Sequence, residues 1–168
     1  MTPERRIILS LGSNIEPRSH RLAAAIEAMH HDGAIRSIIV SDVYSTAPVG
    51  IRDQPDFLNC CLAGDTTLGP AEAVAYVKTL EQRLGRQHRQ RWHEREIDVD
   101  VILLGDVVFS SQQVEIPHPR MHERRFVLVP ACDIAPEARH PLLQASIREL
   151  CRICGDTSAV ASLGPLTV

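Results

Sequence analysis

Residues 96–104 read EIDVDVILL, and this run predicts a central strand of a β-sheet. Side chains alternate between the two faces of a strand. One face is therefore expected to carry Ile97, Val99, Val101 and Leu103. The other face is expected to carry Asp98, Asp100, Ile102 and Leu104. Because both faces are apolar toward the end of the run, we expect other parts of the fold to cover the strand on both sides.

The segments around this strand alternate between strand-like and helix-like patterns. Strands are predicted at 6–11, 35–44, 58–63 and 97–104. Helices are predicted from Pro17, where Leu22, Ile26 and Met29 recur at helical spacing, from Gly69-Pro70 to Gly85, and at 126–129 and 142–154. The order β-α-β-β-α-β is typical of an α+β ferredoxin-like sandwich, in which helices pack on the faces of a mainly antiparallel sheet.

Length and composition favour one soluble globular domain. The 168 residues are 44% hydrophobic and 23% charged, which is ordinary for a chain that buries its own core. We therefore expect a single domain over residues 1–168, with the last dozen residues, which include Gly164-Pro165, only loosely tied. The net charge of −3 argues against a nucleic-acid binder. No apolar run approaches the roughly 20 residues of a membrane helix.

The five cysteines do not form a pattern typical of disulfides or zinc. Five is an odd number, and the one C-x-x-C pair, Cys151 and Cys154, has no second pair to complete a zinc site. We therefore expect buried free thiols and a reducing, cytoplasmic location.

Two carboxylates, Asp98 and Asp100, lie at the start of the predicted central strand, about 7 Å apart along the backbone. Two like charges near a core are costly unless a cation neutralises them. Hard cations such as Mg²⁺ prefer such oxygen ligands. The alternative is a solvated pair of surface residues, since D-x-D is a common spacing. The apolar Ile102 and Leu104 on the same predicted face favour a cleft.

An arginine-rich stretch precedes these carboxylates. It contains Arg83, Arg86, Arg89, Arg91 and Arg95, with His88, Trp92 and His93 between them. A guanidinium matches phosphate oxygens with two parallel hydrogen bonds and stays charged at any working pH. Arg83 is explained by the end of the preceding helix, whereas Arg86, Arg91 and Arg95 are expected to bind phosphate. Lys78 is the only lysine, so a P-loop is excluded. The pattern indicates an enzyme that binds a magnesium–nucleotide.

Five segments, in order, resemble the hydroxymethyldihydropterin pyrophosphokinases of folate biosynthesis. The run RWHEREIDVD at 91–100 is similar to the signature of that family. The other four segments are LGSN at 11–14, YSTAPVG at 44–50, DQPDFLN at 53–59 and IPHPRMHERRF at 116–126. The resemblance implies transfer of pyrophosphate from ATP to the hydroxymethyl group of 6-hydroxymethyl-7,8-dihydropterin, with AMP released. It also implies two Mg²⁺ ions, ATP and a reduced pterin as partners, neither nucleic acid nor membrane, and a monomer.

The resemblance also assigns roles to residues of this chain. The metal ligands would be Asp98 and Asp100, which with Arg86 and Arg95 form the catalytic set. Contacts with ATP would come from Glu81, Arg86, Arg95, His118 and Arg124. The pterin pocket would be formed by Thr46, Val49, Phe57, Asn59, Trp92 and Phe126. A flat bicyclic pterin suits stacking on aromatic rings, and an amide such as Asn59 matches its donor–acceptor edge.

Three departures from the family pattern bear on the rate and on loop closure. His93 stands where the family commonly has glycine, Glu94 where it has proline, and Glu96 where it has a small or hydroxyl residue. Glu96 is expected to add a third acid to the face of Asp98 and Asp100, or to turn outward at the start of the strand.

Other readings stay open at this point. A two-metal nucleotidyl transferase would also use D-x-D on an α+β sheet. A zinc site at His118 and His122 lacks a third ligand at a convincing spacing. A relative that binds ATP or pterin without turnover is the alternative to an enzyme.

Overall fold

The central sheet has six strands and carries helices on both faces. The computed structural model describes residues 2–167. In chain order its elements are β1 (Arg5–Ser13), α1 (Arg18–Asp32), β2 (Arg36–Val40), β3 (Tyr44–Thr46), β4 (Phe57–Thr66), α2 (Pro70–Arg83), β5 (Asp98–Leu104), β6 (Phe109–Ser110), β7 (Glu115–Ile116), a 3₁₀ helix (Met121–Glu123), α3 (Arg125–Ile134), α4 (Ile147–Ile153) and β8 (Val160–Ser162).

The strand order of the sheet is β5-β1-β4-β3-β8, and β2 also pairs with β4. All these pairs are antiparallel. A separate hairpin is formed by β6 and β7. The predicted α+β architecture with a mainly antiparallel sheet is therefore confirmed. None of the helices within residues 2–167 combines the length and the apolar character needed to cross a bilayer.

Two apolar layers hold the helices on the sheet. On one face α1 and α2 cover alternate residues of β1 such as Ile7, Leu9 and Leu11, all fully buried. On the other face α3 and α4 cover Ile8 of β1 and Cys61 of β4. Because each strand contributes alternate residues to the two layers, removal of apolar surface from water fixes the register of the whole sheet.

A β-bulge in β5 changes the predicted alternation. Ile8 of β1 pairs with Leu103, but the next residue, Leu9, pairs with Val101, so Ile102 is the extra residue. As a result Ile102 and Leu103 both pack toward α3 and α4, whereas Leu104 packs toward α1 and α2. The prediction that Leu104 shares a face with Asp98 is wrong, and so is the placement of Leu103 on the opposite face. The burial of β5 on both sides is confirmed. The prediction of a central strand is wrong, because within residues 2–167 β5 pairs only with β1 and therefore lies at the edge of the sheet.

The predicted strand at 35–44 is divided into β2 and β3. At the break the Ser41 hydroxyl, rather than a backbone carbonyl, accepts a hydrogen bond from Cys61 N (2.9 Å). Ser41 N in turn donates to Cys61 O (2.9 Å). The predicted helix at 142–154 is shorter and begins only after Ser146. Ser146 and Glu149 cap its N-terminus reciprocally.

The sequence predicted that all the thiols are buried, and this prediction is wrong. Cys60 and Cys61 lie inside β4 and are fully buried, but Cys132, Cys151 and Cys154 are partly exposed. The reason is that α3 and α4 are the outer layer on their face of the sheet, so residues away from their inner stripe meet solvent. All five are free thiols.

Acidification is expected to destabilise the fold through His140. Its Nδ1 accepts hydrogen bonds from Leu142 N (3.3 Å) and Leu143 N (3.2 Å), so the ring has to be neutral at this atom. Burial lowers the pKa of His140, and the neighbouring His122 adds to the effect. In the unfolded chain a histidine takes up a proton at about pH 6.5. The contribution of neutral His140 to the free energy of unfolding is therefore fully present above that pH, and it is lost as the pH falls toward the lower pKa of the folded state.

Denaturant unfolding at about pH 7 and about pH 5 measures this effect. The variant His140→Asn keeps a side-chain acceptor near the position of Nδ1 but does not titrate. We expect the free energy of unfolding to decrease more on acidification in the original protein than in His140→Asn. The same decrease in both proteins would assign the pH dependence to other groups.

Candidate active site

A cavity of about 360 Å³ opens on the face of the sheet that carries α3 and α4. Its floor consists of alternate residues on three neighbouring strands, which are Ser10, Gly12, Phe57, Asn59, Asp98 and Asp100. The register places Ser10 opposite Asp100 and Gly12 between Asp98 and Asn59. The antiparallel pairing therefore brings the end of β1 to the starts of β4 and β5.

Eleven of the residues predicted for the site line this one cavity. They are Thr46, Val49, Phe57, Asn59, Arg91, Trp92, Arg95, Asp98, Asp100, Arg124 and Phe126. Three other predicted site residues are not among the lining residues, namely Glu81, Arg86 and His118. The sequence did not single out further lining residues, including Ser10, Gly12, Arg120, Glu123, Asp156 and Ser158.

Asp98 is held as a carboxylate by two arginines. Arg86 Nη1 donates to its Oδ1 (2.8 Å) and Arg95 Nη1 donates to its Oδ2 (2.6 Å). Burial alone would raise the pKa of Asp98, but the positive charges of Arg95 and Arg86 outweigh it and the pKa is lowered. Asp98 is therefore ionised, and it orients the two arginines that were predicted to contact phosphate.

The pKa of Asp100 is shifted in the opposite direction from that of Asp98. Burial and the neighbouring charge of Asp98 raise its pKa, and Lys78 Nζ, 3.6 Å from Oδ1, compensates only in part. A cation placed between the two carboxylates would remove this repulsion. Mg²⁺ commonly takes one or two carboxylates and completes its shell with water and substrate phosphates. Asp98 and Asp100 therefore fit a magnesium ion whose other ligands would come from phosphate and water.

Glu81 is buried beneath Asp98, with 2% of its surface exposed. Its Oε1 accepts from Val99 N (2.6 Å) and Lys78 Nζ (3.1 Å), and its Oε2 pairs with Arg86. Burial raises the pKa of Glu81. The Glu81 carboxylate thus links α2 to β5 and holds the Arg86 guanidinium in place. Direct contact of Glu81 with ATP stays a prediction.

Two polar residues of the predicted pterin pocket are bonded to each other. Asn59 Nδ2 donates to Thr46 Oγ1 (2.6 Å), across the pairing of β3 with β4. Gly12 makes room for this pair, since a Cβ there would lie 2.8 Å from Asn59 Oδ1. The amide oxygen of Asn59 faces the space above Gly12, and Phe57 and Phe126 complete an aromatic lining.

Asn14 and Gln54 attach the loop at 86–95, here called the arginine loop, to the sheet. Arg95 N donates to Asn14 Oδ1 (2.8 Å), and Asn14 Nδ2 donates to Gln54 Oε1 (2.9 Å). Gln54 Nε2 then donates to Trp92 O (2.7 Å). Neither amide was assigned a role from the sequence, although both lie in segments that resemble the family, at 11–14 and 53–59.

Trp92 lies at the rim of the cavity in a left-handed backbone conformation, with φ of 73°. Its ring packs directly on Gly50, where a Cβ would lie 3.1 Å from Trp92 Cγ. The Arg91 guanidinium stacks 4.8 Å from the ring centroid. A strained conformation held by several contacts is typical of a functional loop, and here it joins the arginine loop to the segment that carries Val49.

The two histidines considered for zinc have different surroundings. His118 Nδ1 accepts from Arg120 N (3.1 Å), and burial lowers the pKa of His118 although Asp100 opposes this. His122 packs edge-on against His140, with 6.1 Å between ring centroids. His118 is therefore placed beside the carboxylate site and His122 within the packing around α3.

Glu96, the departure from the family pattern, binds the arginine loop. Its Oε1 pairs with Arg89 Nη2 (2.7 Å), and its Oε2 accepts from Arg89 Nη1 (2.8 Å) and Gln87 N (3.2 Å). The hydrogen bonds from Arg89 lower the pKa of Glu96 to about 2. Since Gln87 follows Arg86 and Glu96 follows Arg95, one buried carboxylate fixes both ends of the loop. The carboxylate is engaged by this loop rather than by the cavity.

Replacing Glu96 by glutamine is expected to loosen the arginine loop. The charge-assisted pair with Arg89 is lost, so the free energy of unfolding should fall, and KM for ATP should rise about three- to tenfold. Steady-state kinetics and denaturant unfolding of Glu96→Gln, Arg89→Gln and the double variant form the measurement. If the pair acts as a unit, the double variant is no worse than the worse single variant. Additive losses would mean that the two residues act separately.

Comparison with known proteins identifies the family of this chain. The family model described as 7,8-dihydro-6-hydroxymethylpterin-pyrophosphokinase (HPPK) matches residues 8–136. The 2-amino-4-hydroxy-6-hydroxymethyldihydropteridine pyrophosphokinase of Bacillus subtilis (strain 168) is 38% identical over 129 residues, which cover 77% of each chain. The protein of the same description from Pseudomonas aeruginosa is 34% identical, over 82% of this chain and 85% of the relative.

Longer proteins contain a similar region. The mitochondrial folate synthesis bifunctional protein of Arabidopsis thaliana is 39% identical over 80% of this chain, and the match spans 24% of its length. The crystal structure of wild-type Plasmodium falciparum HPPK-DHPS with pteroate has the same fold, with a TM-score of 0.69 at 16% identity. That match covers 90% of this chain and 42% of the Plasmodium chain. From the family model and these relatives we conclude that the chain belongs to the 7,8-dihydro-6-hydroxymethylpterin-pyrophosphokinase family.

Proposed function

We propose that this protein transfers the β,γ-pyrophosphoryl group of ATP to 6-hydroxymethyl-7,8-dihydropterin, giving AMP and the pterin diphosphate. The observation that carries the proposal is one cavity that holds two kinds of site. Asp98, Asp100 and Arg95 suit a magnesium-bound polyphosphate, while the Thr46–Asn59 pair and aromatic rings suit a flat heterocycle.

The reaction is a displacement at phosphorus. The hydroxymethyl oxygen of the pterin bonds to the β-phosphorus of ATP, the bond from that phosphorus to the oxygen of the α-phosphate breaks, AMP leaves, and the hydroxyl proton is released. This step needs positioning and charge neutralisation rather than a covalent nucleophile. Mg²⁺, when bound, would supply Lewis-acid stabilisation of the phosphate oxygens.

The residues of the chain have distinct tasks in this reaction. Asp98 and Asp100 would hold magnesium, with two ions as the proposal, and Asp98 also aligns Arg86 and Arg95. Arg95 and Arg124 reach the cavity and would bind phosphate oxygens, and His118 is near enough to Asp100 and Arg124 to interact electrostatically with both. Trp92 and the arginine loop would cover the bound ATP and limit its hydrolysis by excluding water.

The pterin is expected to bind in the remaining part of the cavity. The rings of Phe57 and Phe126 offer stacking surfaces, and the guanidinium of Arg124 lies 5.8 Å from the Phe126 ring centroid. Thr46 and Asn59 would exchange part of their mutual hydrogen bonding for bonds to the heterocycle, and Val49 and Trp92 would close the rim.

We also propose that residues 1–168 act as one domain, as a monomer, in the cytoplasm. Three neighbouring strands of one sheet, β5, β1 and β4, bring the floor of the cavity together. The five free thiols are compatible with a reducing compartment. ATP and the reduced pterin are the proposed partners.

Product analysis tests the proposed function. The pure protein is incubated with Mg²⁺, ATP and 6-hydroxymethyl-7,8-dihydropterin, and the nucleotides are separated. We expect AMP to form in step with pterin diphosphate. Formation of ADP would mean an ordinary kinase, and binding of ATP or pterin without turnover would mean a relative that has lost the activity.

A further inference from the structure

The segment Asp156–Ser162, here called the C-terminal strap, lies beyond the match to the family model, which ends at residue 136. At its start the strap is bonded to α3. Asp156 Oδ2 accepts from Arg125 N (2.9 Å), the first residue of α3, and Asp156 Oδ1 accepts from Ser158 N (2.9 Å). One carboxylate therefore fixes both the beginning of α3 and the turn of the strap itself.

At its other end the strap is bonded to the sheet. Val160 of β8 pairs with Thr46 of β3, and Ser162 pairs with Tyr44. Just beyond the strap, Leu163 N donates to Val43 O (2.8 Å). The last three residues of the strap thus form β8, an edge strand of the main sheet.

Each attachment is next to a residue that lines the proposed pterin pocket. Thr46, on β3, and Phe126, the second residue of α3, both line the cavity. Asp156 and Ser158 of the strap line it as well. The strap therefore connects the wall that carries Thr46 to the wall that carries Phe126.

The hydrogen bonds to Asp156 keep its side chain ionised and bonded to the start of α3. Burial would raise the pKa of Asp156, but hydrogen bonds from Ser158 and Arg125 outweigh it and the pKa is lowered. A carboxylate is a favoured acceptor for the free N–H groups at a helix N-terminus. Arg124 immediately precedes α3 and Phe126 is its second residue. Displacement of this helix end would therefore move both of these cavity-lining side chains together.

We propose that Asp156 is a positioning residue that holds the Phe126 wall at a fixed distance from the Thr46 wall and thereby sets the affinity for the pterin. This inference rests on the proposed function, because it takes the pterin as the occupant of that part of the cavity. It assigns a role in substrate binding to a part of the chain outside the matched family region.

Two variants remove the same hydrogen bond from its two sides. Asp156→Ala removes the acceptor. Arg125→Pro removes the donor N–H at the first helical position, where proline is well tolerated. Because it also removes the Arg125 guanidinium, Arg125→Ala, which keeps the N–H, is its control and should change KM for the pterin less than about twofold. Arg124 before it is already extended (φ −118°, ψ 103°), as a residue before proline has to be. Each variant is expected to raise KM for the pterin about tenfold and to change KM for ATP less than about twofold.

The comparison of the variants separates positioning from general weakening. The double variant is expected to resemble the single variants, rather than to show the product of their effects. Asp156→Asn, which retains one acceptor oxygen for Arg125 N–H, should recover most of the affinity. Thr157→Ala is the matched control, because Thr157 is an exposed neighbour outside the cavity lining, and it should leave both KM values unchanged.

Calorimetric titration with 6-hydroxymethylpterin gives a readout that does not depend on turnover. If the original protein forms no AMP, the proposed function fails, but the same tenfold loss of pterin affinity in both variants would still support the positioning role. Unchanged pterin affinity in folded Asp156→Ala or Arg125→Pro would overturn it. An equal rise in KM for ATP and pterin would also overturn it, since that result means a general loosening of the site.

Discussion

The variant Asp100→Asn is expected to lose nearly all pyrophosphoryl transfer while its fold becomes no less stable. The raised pKa of Asp100 reflects burial and repulsion by Asp98, so removal of the charge relieves an unfavourable interaction in the free protein. The same charge is needed to bind the magnesium–polyphosphate. We expect kcat/KM to fall by about 10³-fold, and the midpoint of thermal unfolding to stay the same or rise.

Two further variants serve as a comparison and a control for Asp100→Asn. Asp98→Asn is expected to lose as much activity but also stability, because Arg86 and Arg95 then lose the charge that they share. Asp106→Asn, an exposed aspartate just after β5, is the matched control and should change neither quantity. Near-normal turnover by Asp100→Asn, or a large loss of its stability, would mean that Asp100 is a structural residue.

The variant Arg95→Ala is expected to impair transfer far more than pterin binding. Arg95 lines the cavity with its guanidinium on Asp98, and it would meet the phosphates rather than the heterocycle. We expect kcat to decrease about 10²- to 10³-fold, while the dissociation constant of the pterin changes less than about threefold. Steady-state kinetics and pterin titration measure the two effects separately.

Arg95→Lys refines the interpretation of this variant. Lysine keeps the charge but cannot form two parallel hydrogen bonds, so it should recover only part of the rate. Arg83→Ala is a control for loss of an arginine elsewhere, since Arg83 pairs with Asp32 away from the cavity. Equal losses of transfer and of pterin binding in Arg95→Ala would mean that the arginine loop is a structural element.

The alternating pattern of β5 made the floor of the site predictable from the sequence. The period of two placed Asp98 and Asp100 on one face with Ile102, as observed. The bulge at Ile102 was not predictable, because an extra residue in a uniformly apolar run leaves no mark in the hydrophobic pattern. The prediction for Leu103 and Leu104 was wrong for that reason.

Residues that act through long-range hydrogen bonds were the least predictable part of the site. Asn14 and Gln54 are 40 positions apart, yet they bond to each other and to the arginine loop. Asp156 reaches Arg125 across 31 positions. A local pattern does not report such pairings. For Glu96, in contrast, the sequence identified an unusual residue, but only its contacts with Arg89 gave that residue a structural role.

Transfer of the β-phosphorus tests the central claim most directly. The protein is incubated with Mg²⁺, 6-hydroxymethyl-7,8-dihydropterin and ATP that carries radioactive phosphorus in the β-position, and the products are separated. The proposed reaction predicts that the label moves to the pterin and that the AMP released is unlabelled. Label that stays on the nucleotide, as ADP, would contradict pyrophosphoryl transfer.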